Sequence, residues 1–366
     1  MLAVLIGALF PLAFLEAIAR LLPVHGGTHA LPVNETNSVR RFQPDREFVW
    51  SRDWNFSIVN HVKINNFGFV SDVDYDPERR SPLFAVVGDS YVEAFMVPFR
   101  ETCHGRLATT LDETVRVYSF GSSGSPLSQY VAYAKYARDT FRPDALAIIV
   151  VGNDYDESLR KYYPKRGMNQ FVERPGDRLA LRRDDYRATF GFGLTRASAL
   201  ARYVLINLGI TRGRVRRLLT GETARERVHQ QELDRTRVAD SKRAVDTFLD
   251  LLPESSGLKP ERILFVVDGI RPRLYGDDSL EWDKLGYEDT MRRYFMANAR
   301  RRGHETIDLE PAFVAHYRTN QARFDWPNDG HWNALGHEVC FEALVRSELV
   351  SREFLTGGGL VGAGEG

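Results

Sequence analysis

The segment 83-LFAVVGDSYVEAFMV-97 carries the clearest fold signal in this sequence. It begins with an apolar run that ends at Gly88, and Ser90 follows where the chain leaves the run and begins a helical pattern. A short apolar run followed by a glycine turn and a helix is typical of a buried strand in a parallel sheet. Ligands bind at the carboxyl edge of such a sheet, so Ser90 is predicted to lie at a functional edge.

Four further apolar runs resemble this one and are separated by segments with helical patterns. They are 115-VRVYSF-120, 145-ALAIIVVG-152, 262-RILFVVD-268 and 305-ETIDL-309. Together the runs predict a three-layer α/β/α sandwich, in which a five-stranded parallel sheet is covered by helices on both faces. Residues 160–258 are too long for one crossover and predict a helical insertion or cap.

The composition describes a chain that can bury a substantial core and has no overall charge. Hydrophobic residues make up 43% of the 366 residues, and 49 basic residues balance 49 acidic ones. A net charge of zero provides no general attraction to nucleic acid, so no nucleic-acid partner is expected. The two cysteines, Cys103 and Cys340, lack the spacing of a zinc site and could form one disulfide or remain free thiols.

The amino-terminal segment, residues 1–24, is apolar almost throughout and predicts a membrane anchor. At about 1.5 Å per helical residue it would cross a bilayer core of about 30 Å. Within it, Glu16 and Arg20 have the spacing of an ion pair on one helix face. A signal peptide and a buried core helix are alternatives, and the arginines within 40–46 leave the orientation open. The glycine-rich tail 356–366 predicts a flexible end.

Two further loops follow the second and third predicted strands and open on the same sheet edge as Ser90. They are 119-SFGSSGSPLSQ-129 and 152-GNDYDES-158. Glycine lets a backbone N–H approach a reacting oxygen and asparagine supplies an amide donor, so Gly124 and Asn153 are candidates for an oxyanion hole. Ordinary turn chemistry would also explain these two residues, as helix capping would explain Ser90.

Near the carboxyl end, the segment 324-FDWPNDGHWNALGHEVCFEAL-344 supplies a candidate base for the serine. A serine hydroxyl needs a group that takes its proton, and His331 has an acid two residues upstream, Asp329, that could orient its imidazole. His337 opens the next helical pattern and is predicted to pack or cap. The alternative is a metal site with the ligands Asp325, Asp329, His331 and His337. No His-x-x-x-His helix face supports a metal, and no cofactor is expected.

Four segments of this chain resemble the four blocks of the SGNH (GDSL) hydrolase superfamily, and they occur in the family's order. They are Gly88-Asp89-Ser90, Gly124 in SFGSSG, Gly152-Asn153-Asp154 and Asp329-Gly330-His331. The resemblance covers about residues 66–350 and implies a flavodoxin-like α/β/α fold. It implies a nucleophile, a base and an acidic partner, which would be Ser90, His331 and Asp329. It also implies an oxyanion hole formed by the Ser90 N–H, the Gly124 N–H and the Asn153 side chain.

Two positions depart from the usual family pattern. Asn328 stands where the family has its aspartate, three residues before the histidine, and Ser119 stands where many members have asparagine. The Asp-x-His-Trp block is similar to that of alginate-type polysaccharide O-acetyltransferases, a branch that often has a membrane anchor or an export signal. We therefore expect a membrane-anchored protein whose body is extracytoplasmic, on the periplasmic or cell-envelope side.

The resemblance implies a serine-dependent ester hydrolase that forms an acyl-enzyme. Its expected partner is a small acyl ester or an acylated carbohydrate of the cell envelope. A polysaccharide O-acetyltransferase is an alternative, because the same acyl-enzyme can pass its acyl group to a sugar hydroxyl instead of water. A carbohydrate-binding protein that retains the fold without catalysis is a third possibility.

Overall fold

The computed structural model describes residues 2–78, 80–112, 114–188, 190–210, 230–276 and 282–355. Its strands are β1 (Arg46–Arg52), β2 (Ile58–Ile64), β3 (Leu83–Gly88), β4 (Arg116–Gly121), β5 (Ala145–Val150), β6 (Asn169–Arg174), β7 (Arg178–Arg183), β8 (Ile263–Val267), β9 (Glu305–Asp308), β10 (Asp325–Trp326) and β11 (Asp329–Trp332). Its helices are α1 (Leu2–Leu21), α2 (Ser90–Glu93), α3 (Cys103–Leu111), α4 (Leu127–Phe141), α5 (Asp154–Glu157), α6 (Phe190–Ala197), α7 (Ala199–Arg202), α8 (Gln230–Ser256), α9 (Trp282–Arg301), α10 (Glu310–Asn320), α11 (Ala334–Arg346) and α12 (Glu348–Val350). Short 3₁₀ turns cover Phe99–Glu101, Pro260–Arg262 and Arg271–Leu274, and π-helical turns cover Tyr203–Asn207 and Ser351–Leu355.

The centre of the protein is a five-stranded sheet with the strand order β4-β3-β5-β8-β9. All neighbouring strands in it are parallel. Strands β3, β5 and β8 contain only buried residues, so the sheet needs apolar cover on both faces. Helices α4, α8 and α9 contribute to the apolar cluster on one face, and α3, α10 and α11 contribute to the cluster on the other. The predicted α/β/α sandwich with a five-stranded parallel sheet is confirmed.

The carboxyl edge of the sheet gathers the loops that carry the predicted site. Strand β3 lies between β4 and β5, so the loops with Gly124 and Asn153 flank the loop with Ser90. The turn into α2 packs tightly on the strand, because a Cβ atom at Gly88 would lie 2.5 Å from a methyl carbon of Val92. A glycine at the end of β3 therefore lets the helix that bears Ser90 begin directly on the sheet.

The insertion between β5 and β8 contains an antiparallel hairpin, formed by β6 and β7, which the prediction of a helical insertion omits. The hairpin turns at Gly176 and Asp177, whose φ angles are +76° and +55°. Its strands, NQFVER and RLALRR, are rich in polar residues and lack the strict apolar alternation that indicates a strand in a sequence. The rest of the described insertion is largely helical, and residues 211–229 lie outside the described residues.

A second hairpin, formed by β1 and β2, precedes the sheet and packs beside its carboxyl edge. Trp50 and Val62 of this hairpin share an apolar cluster with Phe95 and Met96, which follow α2. This packing places the end of β1 close to the loops of the site, where Arg52 contacts a residue of β11. The hairpin lies outside the part of the chain that resembles the SGNH blocks.

Helix α1 contacts the insertion through the side chains of Glu16 and Arg20. The predicted pair of Glu16 and Arg20 is present with a distance of 2.8 Å, and Glu16 also accepts hydrogen bonds of 3.0 and 2.9 Å from the backbone N–H groups of Ala199 and Leu200. The sequence predicts a membrane span over residues 1–24. In the part of the chain that the structure describes, however, no helix combines the length and the apolarity that crossing a bilayer requires. The predicted flexible tail, residues 356–366, lies outside the described residues.

Candidate active site

Ser90 is the first residue of α2 and directly follows the turn at the end of β3. Asp89 caps this short helix, because its carboxylate accepts a hydrogen bond of 2.9 Å from the backbone N–H of Tyr91. The capping role that the sequence left open for Ser90 therefore belongs to its neighbour. Oγ of Ser90 lies 2.8 Å from Nε2 of His331 and 3.1 Å from Oδ2 of Asp89. The hydroxyl has one proton, and donation to His331 is the interaction that can activate the oxygen.

His331 and Asp329 lie on β11, which pairs with β10 in a small antiparallel hairpin. Oδ1 of Asp329 accepts a hydrogen bond of 3.0 Å from the backbone N–H of His331 and also contacts Nδ1 of the imidazole ring. These two contacts turn Nδ1 toward the carboxylate and Nε2 toward Ser90. The two-residue spacing between acid and histidine is thus compatible with the geometry of a serine, histidine and aspartate triad.

The charge state of Asp329 suits a partner of His331. The Asp329 side chain is only 2% exposed, and burial alone would raise the pKa of its carboxyl. The hydrogen bonds from His331 and the nearby charge of Arg52 outweigh burial and hold the pKa of Asp329 below its ordinary value. The carboxylate therefore stays charged and can stabilise the imidazolium form of His331.

Arg52 is a site residue that the sequence analysis did not identify. Its guanidinium forms an ion pair with Oδ2 of Asp329, the oxygen that His331 does not use. The next residue, Asp53, accepts a hydrogen bond of 3.3 Å from the side-chain amide of Asn328. The hairpin of β1 and β2 thus contacts the acid of the triad and its neighbour. No local pattern around Arg52 indicates this contact, because it depends on how the hairpin docks on the sheet domain.

Arg271 is a second residue that the sequence analysis did not identify. It is 5% exposed and donates hydrogen bonds to the carbonyl oxygen of Gly330 at 2.9 Å and to the hydroxyl of Tyr91 at 2.7 Å. The Tyr91 hydroxyl donates to the same carbonyl oxygen at 2.9 Å. Asp268 and Asp325, 3.1 and 3.3 Å from Arg271, balance its charge. Gly330 lies between Asp329 and His331, so the hydrogen bonds to its carbonyl oxygen position the loop that carries both residues. The rule that strand ends share one edge could have found Arg271, which follows β8.

The residues around the histidine loop have structural roles. Trp332 is fully buried, and its indole N–H donates to Asp268 at 3.1 Å. His337 is buried and its Nδ1 accepts a hydrogen bond of 3.3 Å from the backbone N–H of Cys103, which confirms the predicted packing role. Cys103 and Cys340 are both buried free thiols. Across the residues that the structure describes, no group of three or more histidine, cysteine or acidic side chains could hold a metal ion.

The two predicted oxyanion donors lie on the loops that flank Ser90. Gly124 has a φ angle of +73°, and its carbonyl oxygen accepts a hydrogen bond of 2.7 Å from Nζ of Lys165. Asn153 is exposed at the end of the β5 loop, and its side-chain amide donates to Oε2 of Glu157 at 2.9 Å. The amide nitrogen carries a second hydrogen that can serve a reacting oxygen. Lys165 and Glu157 are further residues that the sequence analysis did not identify.

The carboxylate of Asp154 supports the loop that carries Asn153. Asp154 is buried and accepts hydrogen bonds of 2.8 Å from the backbone N–H of Val151 and 2.9 Å from the hydroxyl of Tyr130. Burial raises the pKa of Asp154, and the nearby charge of Asp89 raises it further. Asp154 thus closes the turn after β5.

Glu93 anchors the loop that carries Gly124. Its side chain is buried at the end of α2 and accepts a hydrogen bond from the hydroxyl of Ser123, the residue before Gly124. Burial raises the pKa of Glu93 to about 7, although the hydrogen bonds from Ser123 act against this effect. A carboxyl group with a pKa of about 7 therefore contacts the loop that carries Gly124.

A cavity of about 220 Å³ opens beside Asn153, between the carboxyl ends of β5 and β8. Polar and charged side chains form much of its wall, including Tyr91, Asn153, Asp268, Arg271, Glu288 and Arg292. Tyr91, the residue after Ser90 in the chain, forms part of this wall. Ligand cavities are mostly apolar with a few polar groups, so this wall is unusually polar.

The comparisons with known proteins find similar folds among solved structures. No protein-family profile matches the chain, and no curated protein matches it. A member of the lipolytic protein G-D-S-L family from Veillonella parvula DSM 2008 is 10% identical, with coverage of 74% of this chain and 100% of that chain and a TM-score of 0.40. A putative GDSL-like lipase from Parabacteroides merdae ATCC 43184 is 13% identical, with coverage of 72% and 94% and a TM-score of 0.40. A catalytic mutant of an acetylxylan esterase from Geobacillus stearothermophilus is 12% identical, with coverage of 74% and 95% and a TM-score of 0.37.

Proposed function

We propose that this protein is a serine-dependent ester hydrolase of the SGNH type that acts through an acyl-enzyme. The observation that carries the proposal is the unbroken contact from Oγ of Ser90 to Nε2 of His331, at 2.8 Å, and from Nδ1 of His331 to Asp329. A serine, a histidine and a buried carboxylate in this order form the arrangement that activates a hydroxyl for attack on an acyl group.

In the proposed reaction, Nε2 of His331 takes the proton of the Ser90 hydroxyl while Oγ attacks the ester carbonyl. The carbonyl oxygen becomes an oxyanion, which receives hydrogen bonds from the N–H groups of Ser90 and Gly124 and from the Asn153 amide. His331 then gives its proton to the leaving alcohol, and the acyl group stays on Ser90. A water molecule, deprotonated by His331, releases the carboxylic acid and restores the serine. Asp329 stays ionised throughout and stabilises the imidazolium.

The substrate class that we propose is an ester of a small acyl group with a polyol, such as an acetylated carbohydrate. A cavity of about 220 Å³ beside Asn153 has room for a short acyl chain or a small alcohol group. Its charged side chains, Arg271 and Glu288 among them, favour hydroxyl groups over a long aliphatic chain, because a buried charge loses stabilisation against an apolar ligand.

Labelling with a fluorophosphonate tests the nucleophile. We expect a single adduct on the full chain, found on the peptide that contains Ser90 by mass spectrometry and absent from Ser90→Ala. Ser81→Ala is the matched control, because Ser81 lies just before the amino end of β3, whereas Ser90 follows its carboxyl end. Its labelling and its hydrolysis of p-nitrophenyl acetate should equal those of the wild type. Adducts confined to other residues, together with full esterase activity in Ser90→Ala, would refute the proposal.

Product analysis separates the hydrolase from the O-acetyltransferase. The protein is supplied with an acetyl donor, with and without an oligosaccharide acceptor, and free acetate and acetylated sugar are measured. A hydrolase releases free acetate at a rate that the acceptor leaves unchanged. Acetylated oligosaccharide in excess over free acetate would identify a transferase. A protein that shows no Ser90 adduct and binds glycan equally well after Ser90→Ala would be the non-catalytic alternative.

A further inference from the structure

Two side chains connect the predicted oxyanion donors to each other. Nζ of Lys165 donates to the carbonyl oxygen of Gly124 at 2.7 Å and forms an ion pair with Oε2 of Glu157. The same Oε2 atom accepts the side-chain amide of Asn153 at 2.9 Å. A continuous chain of polar contacts therefore runs from the β4 loop to the β5 loop, on either side of Ser90. Lys165 belongs to the insertion, which the resemblance to the SGNH blocks does not explain.

The backbone of this connection is itself ordered by a buried side chain. Gln170 is fully buried on β6, and its Oε1 accepts a hydrogen bond of 2.8 Å from the backbone N–H of Lys165. Its amide group donates to the carbonyl oxygens of Glu157 and Tyr163, each at 2.7 Å. The segment from Glu157 to Lys165 thus encloses one glutamine that satisfies three backbone groups. The ion pair of Lys165 and Glu157, whose side chains are 21% and 20% exposed, therefore extends from backbone that Gln170 holds by hydrogen bonds.

Both donors need such support. Glycine has the freest backbone of any residue, and Gly124 adopts a left-handed φ of +73°, so its peptide groups can rotate unless their neighbours are held. Lys165 holds the carbonyl group of Gly124, which follows its Cα atom. The hydrogen bond from Ser123 to Glu93 holds the preceding residue. For Asn153, an acceptor on one amide hydrogen fixes the plane of the amide and therefore the direction of the second hydrogen.

We propose that Lys165 and Glu157 are positioning residues that hold the Gly124 N–H and the Asn153 amide in the geometry of an oxyanion hole. This inference rests on the proposed acyl transfer at Ser90. Preorganised donors stabilise the oxyanion without reorganisation at the moment of reaction, and loss of one donor lowers kcat by about 10²- to 10³-fold. A donor that is present but loosely held should lose part of that factor, so we expect kcat to fall about 10- to 100-fold in Lys165→Met and in Glu157→Ala.

Steady-state kinetics with p-nitrophenyl acetate test the role. Substrate binding should change little, so the loss should appear in kcat with KM within about threefold of the wild type. Lys165→Arg, which keeps a cationic donor, should recover most of the activity. Lys161→Met is the matched control: Lys161 pairs with Glu173 at 2.9 Å and with Asp240 in the same insertion, and among the described residues its ion pairs involve neither donor loop. This control should leave kcat unchanged, and a thermal melt should show that the variants remain folded.

A double-variant cycle separates positioning from general destabilisation. Glu157→Ala should lower kcat much less in the Asn153→Ala background than in the wild type, because the amide that Glu157 positions is then already absent. If the fold-loss in kcat of the double variant equals the product of the two single fold-losses, the proposal is wrong. A kcat for Lys165→Met equal to that of Lys161→Met would overturn it as well.

A spectroscopic measurement distinguishes failure of this inference from failure of the proposed function. In chain labelled with ¹⁵N-asparagine, the two side-chain amide protons of Asn153 are identified by their loss in Asn153→Ala. We expect them to shift in Glu157→Ala and Lys165→Met and to stay in place in Lys161→Met. Unchanged signals in Glu157→Ala would overturn the positioning role, even if Ser90 labels normally. Shifted signals in a protein whose Ser90 never labels would support the contacts and remove the proposed hydrolase instead.

Discussion

Glu93 provides a prediction that depends on structure alone and not on the proposed reaction. The side chain is 3% exposed, and burial raises the pKa of Glu93 from 4.5 to about 7. The charge of Arg40 and the hydrogen bonds from Ser123 lower this pKa, and the charge of Asp89 raises it. Between these two pH values the folded chain keeps a proton that the unfolded chain has lost. The free energy of unfolding must therefore fall as the pH rises through this range.

The Glu93→Gln substitution removes this titration and keeps an oxygen that can accept from Ser123. A rise of the pKa from 4.5 to about 7 corresponds to about 3 kcal/mol of unfolding free energy, most of which should develop between pH 5 and pH 8. The wild type should thus lose stability relative to Glu93→Gln as the pH rises. The pH-dependent gain in unfolding free energy of Glu93→Gln over the wild type is fully present above about pH 7 and absent below about pH 4.5.

Urea unfolding at pH 5, 6, 7 and 8 measures this difference, with both proteins in the same buffers. Glu101→Gln is the matched control, because it removes one exposed carboxylate from the turn that follows α2. The control should track the wild type at every pH. If the difference between wild type and Glu93→Gln changes by less than about 0.5 kcal/mol over this range, Glu93 does not retain its proton and the reasoning is wrong.

Substitutions at three further positions probe the histidine loop and its surroundings. Asp329→Asn should lower kcat for p-nitrophenyl acetate by about 10³- to 10⁴-fold, since an amide cannot stabilise the imidazolium of His331; a loss under tenfold would contradict the triad. Arg52→Met should raise the pKa of Asp329, because it removes a positive charge beside the carboxylate; an Asp329 carboxyl signal that titrates at the same pH in both proteins by NMR would show that Arg52 has no electrostatic role. Asn333→Ala should lower the free energy of unfolding in urea by about 1 kcal/mol, because Asn333 caps α11 with a hydrogen bond of 3.0 Å to the N–H of Gly336; Asn333→Asp should recover this loss if capping is the cause.

The fold could be predicted because a strand buried on both faces needs an apolar side chain at almost every position. Each predicted run became one strand of the sheet, as in 83–88 and 145–150, with ends displaced by at most two residues. The hairpin of β6 and β7 was missed for the opposite reason. Its buried positions include the polar residues Asn169 and Gln170, and its exposed positions are glutamate and arginine, so its sequence carries little strand signal.

The site was predictable to the extent that its residue types are unusual at strand ends. Ser90, Gly124 and Asn153 each follow a predicted strand, and the sheet order places their three loops side by side. The spacing left His331 and Asp329 as the base and its partner, and the structure places His331 in contact with both Ser90 and Asp329.

Neighbouring residues along the chain were enough to indicate which segments form buried strands and which reactive side chains lie at strand ends. The side chains that support the reactive ones became visible in the folded chain alone. Arg52 meets Asp329 across 277 positions of the chain, and Lys165 meets Gly124 across 41. Such contacts depend on how a hairpin and an insertion dock on the sheet domain, and an exposed arginine or lysine has the same local pattern whether or not it finds a partner.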